Sequence, residues 1–396
     1  MGGCSMASIP GDVPFLPFHL PDIGDEEILS VNETLRSGWL TTGPKVKQFE
    51  KDFARYTGSR NAVAVNSGTA ALHLAMDAIG IKEGDQVIVP TMTFTATAEV
   101  VLYFKARPVL VDCEPDTLNI DPDQIERKIT SKTRAIIPVH FAGHPCEMDR
   151  IMEIARRNNL KVVEDAAHAL PARYRNMMVG TIGDITCFSF YATKTIATGE
   201  GGMATTDNPD WSKRMRVMSL HGISSDAWKR YSAEGSWYYE VISPGYKYNL
   251  TDVAAAIGIE QLKKCDRFWD ARRRIAESYD KAFSDLPEIR TPVSRCYIEH
   301  PRHLYVIQLE LERLTITRSQ FIELLKEQGI GTSVHFIPLH IHPYYRDALG
   351  HKPADFPMAS AAYERIVSLP IYPKMTETDV SQVIETVKNT VSKYRR

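Results

Sequence analysis

The segment Ala62-Val63-Ala64-Val65-Asn66-Ser67-Gly68-Thr69 decides the fold, because it places a short apolar run directly before the start of a helical pattern. The run from Ala62 to Val65 predicts a buried strand, and residues 69–79 predict a helix. The same alternation then repeats, with strands predicted at 86–89, 108–111, 135–139, 161–164, 185–190 and 202–205, and helices at 96–104 and 148–158. Short, continuously apolar strands alternating with helices indicate an α/β fold with a mostly parallel sheet covered on both faces.

Two helices with clear ends precede this segment. The first is predicted over 25–36 and stops at Gly38, and the second begins at Pro44 and ends at Gly58. Their regularly spaced apolar residues are Ile28, Val31 and Leu35 in the first helix, and Val46, Phe49 and Phe53 in the second.

Beyond about residue 250 the pattern changes. A long helical stretch over 253–283 is followed by an isolated strand at 304–309 and by helices at 318–327 and 378–394. We therefore expect a large α/β domain over 13–250 and a smaller α+β domain over 251–396. Residues 1–12 are expected to be a tag or a disordered start, in which Met1 to Ser5 fit a remnant of cloning.

Composition excludes several classes of protein. The 396 residues include 47 basic and 49 acidic side chains, so the net charge is −2. This balance argues against a strongly basic nucleic-acid binder and against an acidic disordered chain. Hydrophobic residues make up 43% of the chain and charged residues 24%, as is usual for a globular protein.

The cysteines and the apolar windows indicate a cytoplasmic protein without a metal site. Six cysteines are scattered without a CxxC pair, which favours reduced thiols over disulfides or a zinc site. The longest uncharged window, 328–345, holds three histidines and two prolines and does not fit a membrane span. No basic segment followed by an apolar run opens the chain, so no signal peptide is expected.

Small or polar residues follow four of the predicted strands, where ligands bind in open parallel sheets. The segments are Asn66 to Ala70, Thr93 to Thr95, Glu164 to His168, and Phe188 to Lys194 continuing to Gly202. A helix N-terminus of small residues suits an anion, a strand-end carboxylate suits a ring nitrogen, and a desolvated lysine suits imine chemistry. Taken singly, the segments also fit structural roles: a capped helix start, a core aromatic, an aspartate N-cap and a solvated lysine. Neither a GxGxxG nor a P-loop motif is present.

Taken together, their order and spacing resemble the DegT/DnrJ/EryC1/StrS family of sugar aminotransferases, which depend on pyridoxal phosphate and have fold type I. The resemblance covers nearly the whole chain. It rests on the segments Ser37 to Pro44, Asn66 to Leu72, Pro90 to Phe94, Pro138 to Gly143, Glu164 to His168, Ser189 to Lys194, Gly199 to Gly202 and Gly245 to Asp252. The block at Gly245 and the tail Ser368-Leu369-Pro370 resemble the branch that makes UDP-4-amino-4-deoxy-arabinose and related 4-amino sugars.

The resemblance implies a role for each matching residue around the cofactor. Lys194 would be the catalytic lysine, which holds pyridoxal 5′-phosphate as an internal aldimine and then moves the proton. Asp165 would face the pyridine nitrogen, and His168 would lie near the 3-oxygen of the ring. Phe94 would stack on the ring, at a position where relatives often have Trp. His168 stands at a position where many relatives have Gln.

The same resemblance implies how phosphate and substrates are held. The backbone at Gly68 and Thr69, with the Ser189 hydroxyl, would bind the cofactor phosphate. Asn249 would reach that phosphate from the neighbouring subunit, which requires a homodimer with shared active sites. The substrates would be an amino-acid donor, by resemblance L-glutamate, and a nucleotide-linked keto sugar. His335 and His340 resemble a segment near the sugar site, although a structural role explains two such histidines equally well.

Three alternatives remain. A sugar dehydratase branch of the family has His in place of the lysine, so Lys194 argues against it. A cysteine desulfurase needs a mobile cysteine, whereas Cys187 lies inside a predicted strand. A non-catalytic regulatory relative would have lost the lysine or gained a DNA-binding or membrane segment, and neither is seen.

Overall fold

The computed structural model describes residues 15–224 and 238–396. The prediction made for residues 1–12 lies outside these ranges. In the described chain the helices are α1 (Asp25–Ser37), α2 (Pro44–Thr57), α3 (Gly68–Ala78), α4 (Ala96–Leu102), α5 (Pro122–Lys128), α6 (Met148–Arg157), α7 (Pro209–Met218), α8 (Asp252–Lys263), α9 (Cys265–Phe283), α10 (Arg318–Glu327), α11 (Pro343–Leu349), α12 (Pro357–Tyr363) and α13 (Glu377–Tyr394).

The strands are β1 (Asn61–Val65), β2 (Gln86–Pro90), β3 (Arg107–Val111), β4 (Thr133–Ile136), β5 (Lys161–Asp165), β6 (Arg173–Tyr174), β7 (Met177–Met178), β8 (Ile185–Ser189), β9 (Gly202–Thr206), β10 (Ile289–Arg290), β11 (Ile298–Glu299), β12 (Tyr305–Leu309) and β13 (Ile366–Leu369). Seven of them form the main sheet in the order β1-β9-β8-β5-β4-β2-β3. Strand β9 is antiparallel to both neighbours, and the pairs from β8 to β3 are parallel. The predicted α/β class with a mostly parallel sheet is confirmed.

The buried strands explain why this sheet forms. In β1, β2 and β5 the first residue is half-buried and the four that follow are buried, as expected for strands with helices on both faces. On α2 the predicted face is buried, with Val46 3% exposed and both Phe49 and Phe53 fully buried. Phe53 packs edge-on against Phe188 of β8, with ring centroids 5.0 Å apart, so this helix is fixed on the sheet by aromatic contacts.

Helix α1 is turned the other way from what its apolar spacing suggests. Its buried residues are Glu27, Ser30 and Thr34, whereas Ile28 and Leu35 are exposed. The cause is a polar contact with α8, because Glu27 accepts hydrogen bonds from Gln261 at 2.9 Å and from Lys264 at 2.8 Å. Lys264 also separates α8 from α9, so the single helical stretch expected over 253–283 is two helices.

A second sheet, β10-β12-β13, lies in the C-terminal part of the chain. Its core is a separate hydrophobic cluster that includes Tyr279 of α9, Phe321 of α10 and Val387 of α13. Leu16, from the start of the described chain, also belongs to this cluster and forms a parallel bridge with Ile330. The boundary near residue 250 stays a prediction. Among the described helices, none is long and apolar enough to cross a membrane.

Candidate active site

A cavity of about 530 Å³ lies where β5 and β8 end and α3 begins. This is the carboxyl edge of the parallel strands, where ligands bind in open α/β sheets. Eight of the residues predicted from the sequence line it: Gly68, Thr69, Phe94, Asp165, His168, Ser189, Lys194 and His335. The fold therefore brings together segments that are up to 267 residues apart, from Gly68 to His335.

Asp165, the last residue of β5, is a buried carboxylate held by two donors. The Thr97 hydroxyl donates to its Oδ2 at 2.8 Å, and the Ala167 amide donates to its Oδ1 at 3.2 Å. Burial raises the pKa of Asp165, while these hydrogen bonds and nearby Lys194 act to lower it. A carboxylate in this setting is a strong partner for a cationic ring nitrogen.

Lys194 lies five residues after the end of β8, in the loop that leads to β9, and lines the same cavity. Burial of the amine lowers the pKa of Lys194 to about 8, although Asp165 acts to raise it. An amine with such a pKa is partly neutral near pH 7 and can act as nucleophile and base.

The N-terminus of α3 provides a cradle for an anion. Ser67 caps the helix by accepting from the Ala70 amide at 3.0 Å, and the first helical amides, at Gly68 and Thr69, have no partners within the helix. The cradle is tightly packed, since a Cβ on Gly68 would lie 2.9 Å from Ser189 Cβ. A Cβ on Gly202 would lie 2.4 Å from the Ser67 carbonyl oxygen. Both glycines are therefore required by close approach around the cradle.

His168 and Phe94 supply flat surfaces on the cavity wall. The His168 ring stacks on Phe336 with centroids 5.6 Å apart, and its Nδ1 is buried with no hydrogen-bond partner in the described chain. Burial, with Lys194 and His335 nearby, lowers the pKa of His168 well below its usual range, so the ring is neutral. Phe94 is 60% exposed, which is unusual for a phenylalanine and leaves its face open at the cavity.

Of the two histidines predicted near the sugar site, the structure places one in the cavity and the other outside it. His335 lines the cavity, with its Nδ1 2.9 Å from the Ser368 hydroxyl. His340 is fully buried away from the cavity lining, and its two ring nitrogens contact the hydroxyls of Thr91 at 2.8 Å and Ser360 at 3.0 Å. Such a histidine is satisfied structurally.

Asn249 lies in a different cavity, of about 740 Å³, that also contains Trp39 and Thr42. Its Nδ2 donates to the Thr42 hydroxyl at 2.7 Å, and its backbone forms a bridge to Val65 at the end of β1. Within one subunit, Asn249 therefore does not line the cavity that contains Lys194.

Sequence reasoning missed several residues at the site. His19 and His303 line the cavity, and Thr97 holds Asp165. Burial lowers the pKa of His19 to about 3 and that of His303 well below its usual range, so both are neutral. No local motif marks the two histidines, but Thr97 could have been found, since it lies in the first turn of the helix that follows the Thr93 to Thr95 segment.

The residues present fit pyridoxal phosphate. The cradle at α3 matches its phosphate, the Asp165 carboxylate its pyridine nitrogen, Lys194 its aldehyde carbon, and the orphaned Nδ1 of His168 a polar ring substituent. Fold and site together define a pyridoxal-phosphate enzyme of fold type I. The buried thiol of Cys187 within β8, whose pKa burial raises well above its usual range, does not suit a mobile catalytic cysteine.

Comparison with known proteins gives the family. Residues 21–388 match the model of the DegT/DnrJ/EryC1/StrS aminotransferase family, and the chain belongs to this family. It is 54% identical over 381 residues to an uncharacterised protein, MJ1066, of Methanocaldococcus jannaschii, which covers 96% of this chain and 99% of that protein. It is 53% identical to the spore coat polysaccharide biosynthesis protein SpsC of Bacillus subtilis over 378 residues, 95% of this chain and 97% of SpsC.

Solved structures of similar proteins agree with this family assignment. The putative sugar aminotransferase Spr1654 of Streptococcus pneumoniae, in its PLP form, is 36% identical with a TM-score of 0.90, over 96% of this chain and 99% of that one. Its PMP form gives the same identity and TM-score. The predicted cofactor, pyridoxal phosphate, is confirmed for the family.

Proposed function

We propose that this protein transfers an amino group from an amino acid, L-glutamate, to a nucleotide-linked keto sugar. The acceptor would be a UDP- or dTDP-linked 4-keto hexose or pentose, and the product a 4-amino sugar for polysaccharide, lipid A or natural-product synthesis. The proposal is supported by SpsC, which is named for spore coat polysaccharide biosynthesis, and by Spr1654, which is named as a putative sugar aminotransferase. A cytoplasmic location is supported by the described cysteines, which form no disulfide.

The observation that carries the proposal is the pairing of Lys194 and Asp165 in one cavity. Bound pyridoxal phosphate supplies an electron sink for a carbanion at the amino carbon. The Asp165 carboxylate would keep the ring nitrogen protonated, so that negative charge can spread into the ring. The Lys194 amine, with a pKa of about 8, would take up and return the proton at the reacting carbon.

The other cavity residues would position the cofactor. The amides at Gly68 and Thr69 and the Ser189 hydroxyl would hold the phosphate, so that no cluster of basic side chains is needed. Phe94 would cover one face of the ring, and its exposed surface suits that role. His168 would donate or accept at the 3-oxygen through its unpartnered Nδ1.

We further propose a homodimer with shared active sites. Asn249 lies outside the cavity of its own subunit, at a surface that includes the partly exposed Trp39. Its side chain is oriented by Thr42, whose hydroxyl also donates to the Leu250 carbonyl oxygen at 2.5 Å. From this surface Asn249 would complete the phosphate cradle of the partner subunit.

The test is an amination screen. Purified protein is incubated with L-glutamate and UDP-, dTDP- or GDP-linked 4-keto sugars, and products are identified by mass spectrometry. We expect an amino-sugar product with at least one UDP- or dTDP-linked acceptor, together with 2-oxoglutarate in equal amount. Reactions without glutamate, and reactions with Lys194→Ala, serve as controls. Loss of water from the acceptor without amination would instead favour the dehydratase alternative.

A further inference from the structure

A short chain of threonine hydroxyls leads to Asp165. Thr97, in the first turn of α4, is fully buried and donates to Asp165 Oδ2 at 2.8 Å. Its oxygen lies 2.7 Å from the hydroxyl of Thr93, which is 2% exposed and lines the cavity. These two residues come from the segment after β2, whereas Asp165 ends β5, so tertiary structure alone brings them together.

The direction of these hydrogen bonds follows from counting protons. A hydroxyl carries one hydrogen, and an ionised carboxylate can only accept. When Asp165 is ionised, the hydrogen of Thr97 is committed to Oδ2, so Thr93 must donate to Thr97. A carboxyl protonated on Oδ2 would instead donate to Thr97, and the chain would then run the other way. The threonines therefore favour the ionised form only when both point towards Asp165.

Other charged and titratable groups near Asp165 cannot replace this donor. Both ring nitrogens of His140 are engaged elsewhere, because its Nδ1 accepts from the Cys146 amide at 3.1 Å and its Nε2 lies 2.9 Å from Glu164 Oε2. The Cys187 thiol stays protonated, since burial raises its pKa well above the usual range. Lys194 is itself engaged when the cofactor is bound.

We propose that Thr97, supported by Thr93, is a positioning residue that keeps Asp165 ionised and correctly oriented towards the pyridine nitrogen of the cofactor. This inference rests on the proposed function. The remaining donor to Asp165, the Ala167 amide, is longer at 3.2 Å and serves Oδ1. Removing the Thr97 hydroxyl leaves Oδ2 of a buried carboxylate without its side-chain donor, so protonation of Asp165 becomes easier.

The test compares Thr97→Val, which is nearly isosteric, with Thr97→Ser, which keeps the hydroxyl. We expect Thr97→Val to bind pyridoxal phosphate roughly 10- to 100-fold more weakly, the loss of one hydrogen bond to a charged group. The acid limb of its pH–rate profile should move to higher pH, because an Asp165 carboxyl with a raised pKa takes up its proton at a higher pH. NMR of an isotope-labelled ring nitrogen then reports a smaller protonated fraction than in the wild type. Thr97→Ser should keep the wild-type cofactor affinity, pH–rate profile and ring protonation. Thr93→Val should change the same three properties as Thr97→Val, but by less.

Thr186→Val is the matched control. Thr186 is also buried and donates to a buried carboxylate, Glu164 Oε1, at 2.7 Å. Glu164 neighbours Asp165 on β5 and therefore points to the opposite face of the sheet. Thr186→Val should lose comparable thermal stability while leaving cofactor affinity and ring protonation unchanged.

Two results would overturn the role of Thr97. One is a Thr97→Val protein with wild-type affinity and ring protonation, and the other is the same spectroscopic change in Thr186→Val. If Thr97→Val does not fold, the same measurements are made on Thr97→Ala. The two proposals can also be told apart. If Thr97→Val shows the expected loss of cofactor affinity and ring protonation, but the wild type aminates none of the sugars, the proposed substrate is contradicted and the role of Thr97 is supported.

Discussion

At the scale of single residues, Lys194 carries the largest share of the proposed chemistry, since its amine lies in the cavity near Asp165. We expect Lys194→Ala to lose turnover by more than about 10³-fold, because in the proposed function one group would serve as both nucleophile and proton carrier. The fold should remain, since the side chain makes no core contact that the sheet depends on. Turnover measured beside circular dichroism and thermal unfolding checks both parts. A variant that is folded and retains substantial transamination would remove Lys194 from the mechanism.

The lowered pKa of Lys194 gives a second prediction at this scale. In the proposed function the neutral amine would capture the cofactor aldehyde, so the rate of pyridoxal phosphate capture by the cofactor-free protein should rise with pH and level off above about 8. At pH 7 roughly a tenth of the amine would be neutral, far more than for a solvated lysine. Stopped-flow absorbance over a pH series measures this rate. A rate that still rises steeply above pH 10 would show that burial does not depress the pKa.

Residue identities at the site were predictable where a motif carries them. Asp165 and Ser189 end strands and Lys194 comes soon after one, so their meeting at one sheet edge follows from the fold class. The imidazoles of His19 and His303 come from segments with no motif, and they reach the cavity only through packing. His340 could not be assigned from the sequence, because it is only five residues from His335 of the cavity and yet its ring is buried between the hydroxyls of Thr91 and Ser360.

At the scale of elements, Asp252 joins two segments that the sequence places far apart. It is 1% exposed, and its Oδ1 accepts from the amides of Gly43 and Val46 at 2.7 and 3.0 Å. Asp252 therefore caps α2 from outside and fixes the loop that carries Thr42. Asn249, three residues earlier, is held by the same arrangement.

We expect Asp252→Ala to destabilise the protein by about 2–4 kcal/mol, because it removes a helix cap and leaves buried amides without acceptors. It should also weaken cofactor retention, since Thr42 and Asn249 lose their fixed positions. Thr251→Ala is the matched control, because Thr251 caps α8 through the Ala254 amide at 3.2 Å and should cost about 1 kcal/mol. Urea unfolding and dialysis against cofactor-free buffer measure the two effects. Equal cofactor loss in both variants would contradict the prediction that Asp252 supports cofactor retention by fixing Thr42 and Asn249.

Element types were more predictable than element faces. The central strands and α3 follow the sequence pattern closely, because a fully buried strand must be apolar throughout. The outward apolar side of α1 was not predictable, because the polar contact of Glu27 with Gln261 and Lys264 depends on a helix more than 230 residues later. Short elements such as α5 and β13 have too few residues for a periodic signal.

At the scale of the whole molecule, the proposed shared site links cofactor binding to assembly. If Asn249 completes the partner's cradle, an isolated subunit has an incomplete phosphate site. Cofactor affinity and dimerisation should then strengthen each other. Asn249→Ala should weaken pyridoxal phosphate retention by about 1.5–3 kcal/mol, the range for a hydrogen bond to a charged group.

A mixed dimer of Lys194→Ala and Asn249→Ala subunits decides whether Asn249 acts across the interface. If it does, the site that contains Ala at position 194 also receives Ala from its partner at position 249, and the other site carries neither change. Each mixed dimer should then show near half of wild-type activity. If Asn249 acts within its own subunit, every site carries one change and no intact site exists. Differently tagged subunits, co-expressed and purified over two affinity columns, give the mixed species, with each parent homodimer as its control. Activity no higher than that of the better parent would rule out the shared site, because only an exchange of Asn249 between subunits can rebuild an intact one.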